Sequence, residues 1–472
     1  MGQILSKPKV DKSPEKGGDS FVSYGLTCMQ GWRISMEDSH ATILSLEKFG
    51  QNFQKEDDED NKNKNKNNNN NNNIGKDEGD IKNQVSFFGV YDGHGGEKVA
   101  LFTGENLHKI IQNTDAFKQC DYPKALKDGF LNCDVAILED ENMKHDESGC
   151  ALTTCIITKE KIYCANAGDS RTIMSVDGSL KALSYDHKPS NEGEKARICA
   201  AGGFVDIGRV NGNLALSRGI GDFEFKKSVN LPPEEQIVTA DPDIIEHISN
   251  PLTDEFIVLA CDGIWDCLSS QQVIDVVRRG ITDRKPLEEI GNIIMDICLA
   301  PSSAGSGIGC DNMSVCIVAL LHGKTLQEWY DYVINKIENE KIGKISIDYD
   351  DLSKELYGLT IEEKLANAFS NSNGNDLGDS LLQNSLHTEE NNSPSSGITP
   401  ALSLEQLLQS ANGGIKAENG VIYLDTASAS GLLASLGVHH GYSDDDDDDV
   451  EGGDSHHEDV LEDDSKIEEV SD

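Results

Sequence analysis

The sequence has 472 residues, of which 83 are acidic and 41 basic, and its formal net charge at pH 7 is −42. So acidic a chain argues against a nucleic-acid-binding protein, because nucleic-acid phosphates attract basic surfaces. The length suffices for one buried core of about 300 residues with additional segments around it.

Cysteine usage and hydropathy narrow the cellular setting. The 12 cysteines are scattered without a C-x-x-C pair, and no apolar run approaches the roughly 18 residues that a membrane span needs. We therefore expect reduced thiols in a soluble protein of the cytoplasm, the nucleus or both.

The N-terminal segment, residues 1–20, precedes the predicted core. Its opening, "MGQILS", places Gly2 and Ser6 where the myristoylation pattern requires them. So short a pattern also matches by chance, and acylation and coincidence both stay open. A single acyl chain would give only weak membrane contact.

Two strand-like runs follow, "HATILSL" (40–46) and "VSFFGVY" (85–91), separated by an asparagine-rich tract. The tract, residues 51–84, has almost no apolar side chains and is predicted to be disordered. Because it lies between two strands, we interpret it as an insertion in a hairpin and not as a domain boundary.

Helical and strand-like stretches then occur in separate clusters. Apolar residues recur at helical spacing in 97–112, 271–281 and 287–300. Three closely spaced strand-like runs, at 150–158, 161–168 and 170–176, suggest an antiparallel meander. This clustering without strict alternation predicts an α+β fold with an antiparallel sheet core.

Three further segments follow the core. Residues 323–368 are predicted to form a helical extension that either packs on the core or binds a partner. Residues 369–442 are a low-complexity linker with short elements. The tail, 443–472, is acidic and is predicted to be disordered and solvated, since Asp444–Asp472 hold 16 acidic residues and one lysine. Binding of calcium or a basic partner by this tail would be an addition to the core's function.

Acidic residues recur at the ends of the predicted strands. Asp92 and Asp262 each follow an apolar run, Asp311 precedes one, and Glu37 and Asp38 precede "ATILSL". Each alone fits a turn, but a sheet can gather its strand ends at one edge. Mg²⁺ and Mn²⁺ prefer oxygen ligands, and a carboxylate shared by two ions about 4 Å apart traps a water that becomes a nucleophile. We therefore favour Asp92 as a metal ligand over a plain turn residue.

Three neighbouring residues fit a hydrolytic site. Gly93 lets the backbone approach an ion, and its carbonyl is a candidate ligand. His94 is a candidate proton donor to a leaving group, although a helix-entry histidine hydrogen-bonded to the backbone fits the spacing as well. Arg33 is a candidate phosphate ligand, with an ion pair to the nearby acids as the alternative.

The motifs "MQGWRISMEDSH", "VYDGHGG", "CANAGDSR", "ACDGIWD" and "DNMSV" occur in this order. With them the chain resembles the metal-dependent serine/threonine protein phosphatases of type 2C, from about Gly25 to Leu321, and the fungal members in particular. The resemblance implies a four-layer α-β-β-α sandwich, two antiparallel sheets flanked by helices, with a catalytic domain at 21–322.

The resemblance also implies a metal site. Asp92 would bridge two Mn²⁺ or Mg²⁺ ions. Asp262 and Asp311 would hold one ion, and Glu37 and the Gly93 carbonyl would hold the other, partly through water. A water between the ions would attack phosphoserine or phosphothreonine.

The same resemblance assigns catalytic roles and a weaker third metal. Asp38 would orient bound water, Arg33 would bind the substrate phosphate, and His94 would be the general acid. Asp146 matches a ligand of the third ion, with Asp266 near it. The family has Ser-Gly-Ser-Thr after that aspartate and this chain has "SGCA", so the third site is a departure from the pattern.

Partners and alternatives follow from the same residues. We expect phosphoprotein substrates, among them MAP kinases or other kinases phosphorylated on an activation-loop threonine, and a monomeric enzyme in stress or cell-cycle signalling. A pseudophosphatase that only binds would have lost ligand aspartates, and Asp92, Asp262 and Asp311 are all present.

Overall fold

We describe the protein from a computed structural model. It describes residues 4–46, 84–343, 345 and 347–370, without the side chains of 369 and 370, and the backbone of 415–418 and 421–424. Almost all of the asparagine-rich tract, most of the low-complexity linker and the whole acidic tail lie outside the described residues. The chain divides into two compact units, Met1–Asn375 and Asp376–Asp472.

The strands of the first unit form two antiparallel sheets. In chain order they are β1 (Ile4–Gly18), β2 (Val22–Arg33), β3 (Ser39–Ile43), β4 (Ser86–His94), β5 (Gly149–Ile157), β6 (Lys161–Ala167), β7 (Arg171–Val176), β8 (Ser179–Ala182), β9 (Val205–Asp206), β10 (Arg209–Val210), β11 (Ile220–Gly221), β12 (Asp243–Ile248), β13 (Asp254–Ala260) and β14 (Met313–Leu320). One sheet has the order β1-β2-β14-β13-β7-β8, and the other has the order β12-β6-β5-β4-β3, with β11 paired to β5. β9 and β10 form a separate two-stranded sheet. In the second unit, β15 (Ile415–Glu418) and β16 (Val421–Leu424) form a hairpin.

Helices cover the outer faces of both sheets. They are α1 (Lys98–Asn113), α2 (Asp115–Lys118), α3 (Tyr122–Glu139), α4 (Glu192–Ala200), α5 (Asp262–Trp265), α6 (Ser270–Thr282), α7 (Leu287–Cys298), α8 (Leu326–Glu338), α9 (Tyr349–Tyr357) and α10 (Ile361–Ser370). Reciprocal capping boxes start α6, at Ser269 and Gln272, and α8, at Thr325 and Glu328.

Three apolar clusters hold the layers together. Leu107 and Phe130, from α1 and α3, pack against the β4 side of one sheet. Leu26 and Phe88 meet between the two sheets. Ile294 and the other buried apolar residues of α6, α7 and α8 cover the outer face of the sheet that contains β13 and β14. The predicted α+β four-layer sandwich is confirmed.

Two local expectations differ from the structure. β5 and β6 pair as predicted, but β7 leaves the meander and pairs with β13 in the other sheet, so the three-strand meander is wrong. An apolar run predicts a strand but does not specify the sheet to which that strand belongs. The chain passes from one sheet to the other between β6 and β7, at Gly168, whose φ is +121°. The sequence also gave no sign of β1, because this polar edge strand lacks alternation.

The predicted hairpin is present, because β3 pairs with β4 in antiparallel register. Most of the tract that joins them lies outside the described residues.

The helical extension packs on the core. Trp329 is buried and its Nε1 donates to the Glu255 carbonyl oxygen over 3.0 Å. Lys364, also buried, donates to the carbonyl oxygens of Asp296 and Ile297 over 2.8 Å each. Of the two possibilities for residues 323–368, packing on the core is therefore the one observed.

All twelve cysteines fall within the described residues, and none of them forms a disulfide bond. Among the described helices, none is long and apolar enough to cross a membrane.

Candidate active site

The acidic strand ends meet at one edge of the two sheets. β4 delivers Asp92, β13 leads into Asp262 at the start of α5, and Asp311 precedes β14. Together with other side chains they line a cleft of about 420 Å³. Six of the residues singled out in the sequence line it: Arg33, Asp92, Gly93, His94, Asp262 and Asp311. The expectation that strand ends gather at one edge is confirmed.

Gly93 is required for a close approach of two backbones. A Cβ on Gly93 would lie 2.2 Å from the Glu37 carbonyl oxygen and 3.1 Å from the Ala100 methyl group. Any side chain there would push the end of β4 away from the loop that carries Glu37 and Asp38. The glycine therefore sets the spacing of this side of the cleft.

The clustered carboxylates destabilise one another's charges. Burial raises the pKa of Asp92 well above its ordinary value, and the Asp262 charge adds to this. Burial likewise raises the pKa of Asp262 well above its ordinary value, with Asp169 contributing. Burial raises the pKa of Asp311, whereas the Arg33 guanidinium, 2.6 Å from Asp311 Oδ2, lowers it. Divalent cations would offset this repulsion, so the donor set fits a hard metal ion.

Asp38 provides a second observation that fits a metal. It is buried, and its Oδ2 accepts a hydrogen bond from Ser314 Oγ over 2.7 Å, but its Oδ1 has no hydrogen-bond partner among the described residues. Asp38, Asp92 and Cys261 each offer one ligand atom, and these atoms lie within 4.8 Å of one another. Burial raises the pKa of Asp38 to about 7. An unpartnered oxygen beside Asp92 suits an ion or a water bound to it.

Glu37 lies beside the cleft without lining it. Its Oε1 accepts from Ser35 Oγ over 2.7 Å and its Oε2 from the Gly96 amide over 3.3 Å. Its own amide donates to Asn312 Oδ1 over 2.9 Å. These bonds hold Glu37 next to Gly93, on the side where the family resemblance implies a metal.

His94 is bound to a carboxylate from a distant part of the chain. Its Nε2 lies 2.8 Å from Asp222 Oδ1 and 2.9 Å from Oδ2. The alternative of a helix-entry histidine bonded to the backbone does not describe this contact. Burial lowers the pKa of His94, but the Asp222 charge, the hydrogen bond from Asp222 and the charges of Asp169 and Glu37 together raise it above its ordinary value.

Sequence reasoning missed Asp222. It belongs to "RGIGDFEFK", a stretch in which the sequence analysis predicted no role for this aspartate. A Cβ on Gly149 would lie 2.2 Å from Asp222 Oδ2 and 2.4 Å from His94 Nε2, so a glycine leaves room for this pair.

Sequence reasoning also missed Asp169 and its partner. Asp169 lines the cleft, and its Oδ2 lies 2.7 Å from Lys188 Nζ. The two residues stand in "CANAGDSR" and "YDHKPSN", and the sequence analysis predicted a role for neither. Lys188 therefore places a cation next to the acidic cluster.

The two residues assigned to a third metal do not line the cleft. Asp146 accepts hydrogen bonds from the Ser148 hydroxyl and amide and pairs with Lys98 Nζ at 2.9 Å. Asp266 lies one helical turn after Asp262, and much of its surface is exposed. The partial burial of its carboxylate raises the pKa of Asp266, and the Lys188 charge lowers it. A third metal at Asp146 and Asp266 stays a prediction.

Comparisons with known proteins agree on one family. A sequence profile of the family "Protein phosphatase 2C" matches residues 22–307. The chain is 50% identical over 340 residues to "Protein phosphatase 2C homolog 2" of Schizosaccharomyces pombe, covering 72% of this chain and 84% of that one. It is 41% identical over 471 residues to the protein of the same name in Saccharomyces cerevisiae, covering 93% and 95%.

A solved structure supports the fold alone. The crystal structure of a phosphatase from a pathogenic strain of Toxoplasma gondii matches with a TM-score of 0.50 at 24% identity. The match covers 67% of this chain and 97% of that one.

Proposed function

The chain belongs to the protein phosphatase 2C family and is a metal-dependent serine/threonine protein phosphatase, and we propose that its cleft works with two Mn²⁺ or Mg²⁺ ions. The observation that carries this proposal is the meeting of Asp92, Asp262 and Asp311 in one cleft. The unpartnered Oδ1 of Asp38 beside Asp92 supports it independently.

We assign the ligands as follows. Asp92 would contribute to both ions, Asp262 and Asp311 would hold one, and Glu37 and the Gly93 carbonyl would hold the other. When bound, such a pair lowers the pKa of a water to yield a nucleophile and neutralises charge on the phosphoryl group. The sharing of Asp92 predicts that both ions depend on it.

The chain's own groups bind the phosphate and hold the attacking water. Arg33, whose side chain is 37% exposed, is placed to turn from Asp311 toward a phosphate in the cleft. A guanidinium can bind two phosphate oxygens at once. Asp38 Oδ1 accepts a hydrogen bond from the water and orients it.

His94 supplies the proton for the leaving oxygen. Because Nε2 faces Asp222, the proton for the leaving serine or threonine oxygen is held at Nδ1. Asp222 orients the ring and stabilises its charged form. No side chain needs to form a covalent phosphoenzyme.

The cellular role is proposed from the resemblance to fungal members. We propose substrates phosphorylated on threonine in the activation loops of MAP kinases and other kinases of stress and cell-cycle signalling. We also propose a monomer in the cytoplasm and nucleus, with acylation at Gly2 as a source of weak membrane contact.

Hydrolysis of a phosphothreonine peptide tests the function. The purified full chain is assayed with Mn²⁺, with Mg²⁺, and with EDTA, next to Asp92→Asn and the matched exposed variant Asp115→Asn. We expect metal-dependent turnover that Asp92→Asn abolishes and Asp115→Asn retains. Turnover that persists in EDTA or in folded Asp92→Asn would contradict the proposal.

A further inference from the structure

The β9–β10 hairpin ends in an unusual turn. Asp206 pairs with Arg209, so Ile207 and Gly208 are the two turn residues, and their φ angles are +46° and +71°. Positive φ at both positions is the type I′ geometry, for which Asn-Gly is the favoured sequence. A β-branched residue with positive φ is an outlier, because its Cβ crowds the backbone.

Burial of the Ile207 side chain does not compensate for this strain. The Ile207 side chain is 92% exposed, so it adds almost nothing to the buried core. The hairpin itself is anchored by Val210, which is buried in a cluster with Leu216 and Phe225. Asparagine at position 207 would keep the turn with less strain and a more soluble surface. Strain that folding does not need points to a functional reason.

The turn stands next to the catalytic cleft. Arg209 lines the cleft together with Asn213 and Leu214. Cα atoms two residues apart are at most about 7 Å from each other, so the Ile207 Cα lies within that distance of the Cα of Arg209, a residue of the cleft wall. Phe204, at the base of the same hairpin, is also 54% exposed.

We propose that Ile207 is a specificity-determining residue, contacting an apolar side chain of the phosphoprotein close to its phosphorylated residue. This rests on the proposed function. An extended substrate chain advances about 3.3 Å per residue, so side chains two to four residues from the phosphate lie about 7–13 Å from it, and this is where we place the contact. Because Ile207 has no polar atom, its favourable partner is apolar, and contact removes both surfaces from water.

A peptide series tests the proposal with the full-length enzyme. Each phosphothreonine peptide has an alanine and serine background and one leucine, placed at each position from four before to four after the phosphothreonine. The wild-type kcat/KM should rise about five- to tenfold for leucine at one position or two adjacent ones. p-Nitrophenyl phosphate, which has no flanking residues, reports the chemistry alone.

Three variants distinguish the loss of a substrate contact from a loss of folding. Ile207→Asn should remove the leucine preference, raise Tm by relieving strain, and leave turnover of p-nitrophenyl phosphate within about twofold. Ile207→Leu should keep the preference. Leu252→Asn is the matched control, since Leu252 is 74% exposed at the start of β13, far from the Ala260 end that leads to the cleft.

The outcomes are distinct. A wild type without leucine preference, or Ile207→Asn with the preference intact, overturns the proposal. In a second assay, wild type and Ile207→Asn are compared for binding to vesicles of phosphatidylcholine and phosphatidylserine. If Ile207→Asn no longer binds the vesicles but keeps the peptide preference of the wild type, the substrate contact is overturned in favour of a membrane contact. No turnover of p-nitrophenyl phosphate or any peptide by the wild type would refute the proposed function.

Discussion

The Nε2 atom of His94 lies 2.8 and 2.9 Å from the two carboxylate oxygens of Asp222, a residue 128 positions further along the chain. This contact joins the end of β4 to the segment that follows β11. It explains how a histidine beside several carboxylates keeps a fixed ring orientation. It also makes Asp222 a positioning residue for the proton that His94 donates.

Asp222→Asn should therefore impair substrates whose leaving oxygen needs a proton. We expect kcat for a phosphothreonine peptide to fall about 100-fold, because that is the usual contribution of a positioned general acid. Turnover of p-nitrophenyl phosphate, whose phenolate leaves without a proton, should change far less. Steady-state kinetics on both substrates, with circular dichroism as the folding check, measures this difference. Equal losses on the two substrates would argue against a role through His94.

Gly93→Ala should damage the metal side of the cleft. The added Cβ meets the Glu37 carbonyl oxygen at 2.2 Å, so the backbone must shift. We expect a loss of about 1–3 kcal/mol in the free energy of unfolding and a higher Mn²⁺ concentration for half-maximal activity. Gly193→Ala is the matched control, because a Cβ there meets nothing within 4 Å. If Gly93→Ala behaves like Gly193→Ala in urea unfolding and in Mn²⁺ dependence, the close approach is not functional.

We predict that ionisation of Glu194 makes the free energy of unfolding depend on pH in the acidic range. Its carboxylate binds Arg218 at 2.7 Å and Arg197 at 2.8 Å, and these contacts outweigh burial and lower its pKa from 4.5 to about 2. A lowered pKa means that the stabilisation is complete above about pH 4.5 and is lost as the pH falls toward 2. The free energy of unfolding of Glu194→Gln should be lower than that of the wild type by about 2–3 kcal/mol at neutral pH.

Urea unfolding between pH 3 and 7 checks this prediction. The difference between wild type and Glu194→Gln should shrink steadily below about pH 4.5. A difference that stays constant over the whole range would show that the Glu194 charge is not what stabilises the fold.

Much of the cleft could be predicted because its residues stand at the ends of apolar runs. Asp92, Asp262 and Asp311 each adjoin a buried strand, and strands of one sandwich end at common edges. Asp222 could not be predicted this way, since its partner His94 is defined by a tertiary contact. Asp169 stands between the strand-like runs 161–168 and 170–176 and carries the same strand-end signal as Asp92, but its pairing with Lys188 is again a tertiary contact. The polar strand β1 and the position of β7 in the other sheet were missed for a related reason. The strand with which each of them pairs determines its place in the fold, and the local sequence pattern does not reveal that strand.

Calorimetric titration of the metal-free full chain with Mn²⁺ tests the central claim most directly. We predict two tight ions per chain in the wild type, loss of both in Asp92→Asn, and retention of both in Asp146→Asn. The acidic tail is the same in all three proteins, so its weak binding cancels in the comparison. Two tight ions retained by folded Asp92→Asn, or only one bound by the wild type, would contradict a pair of metals that share Asp92.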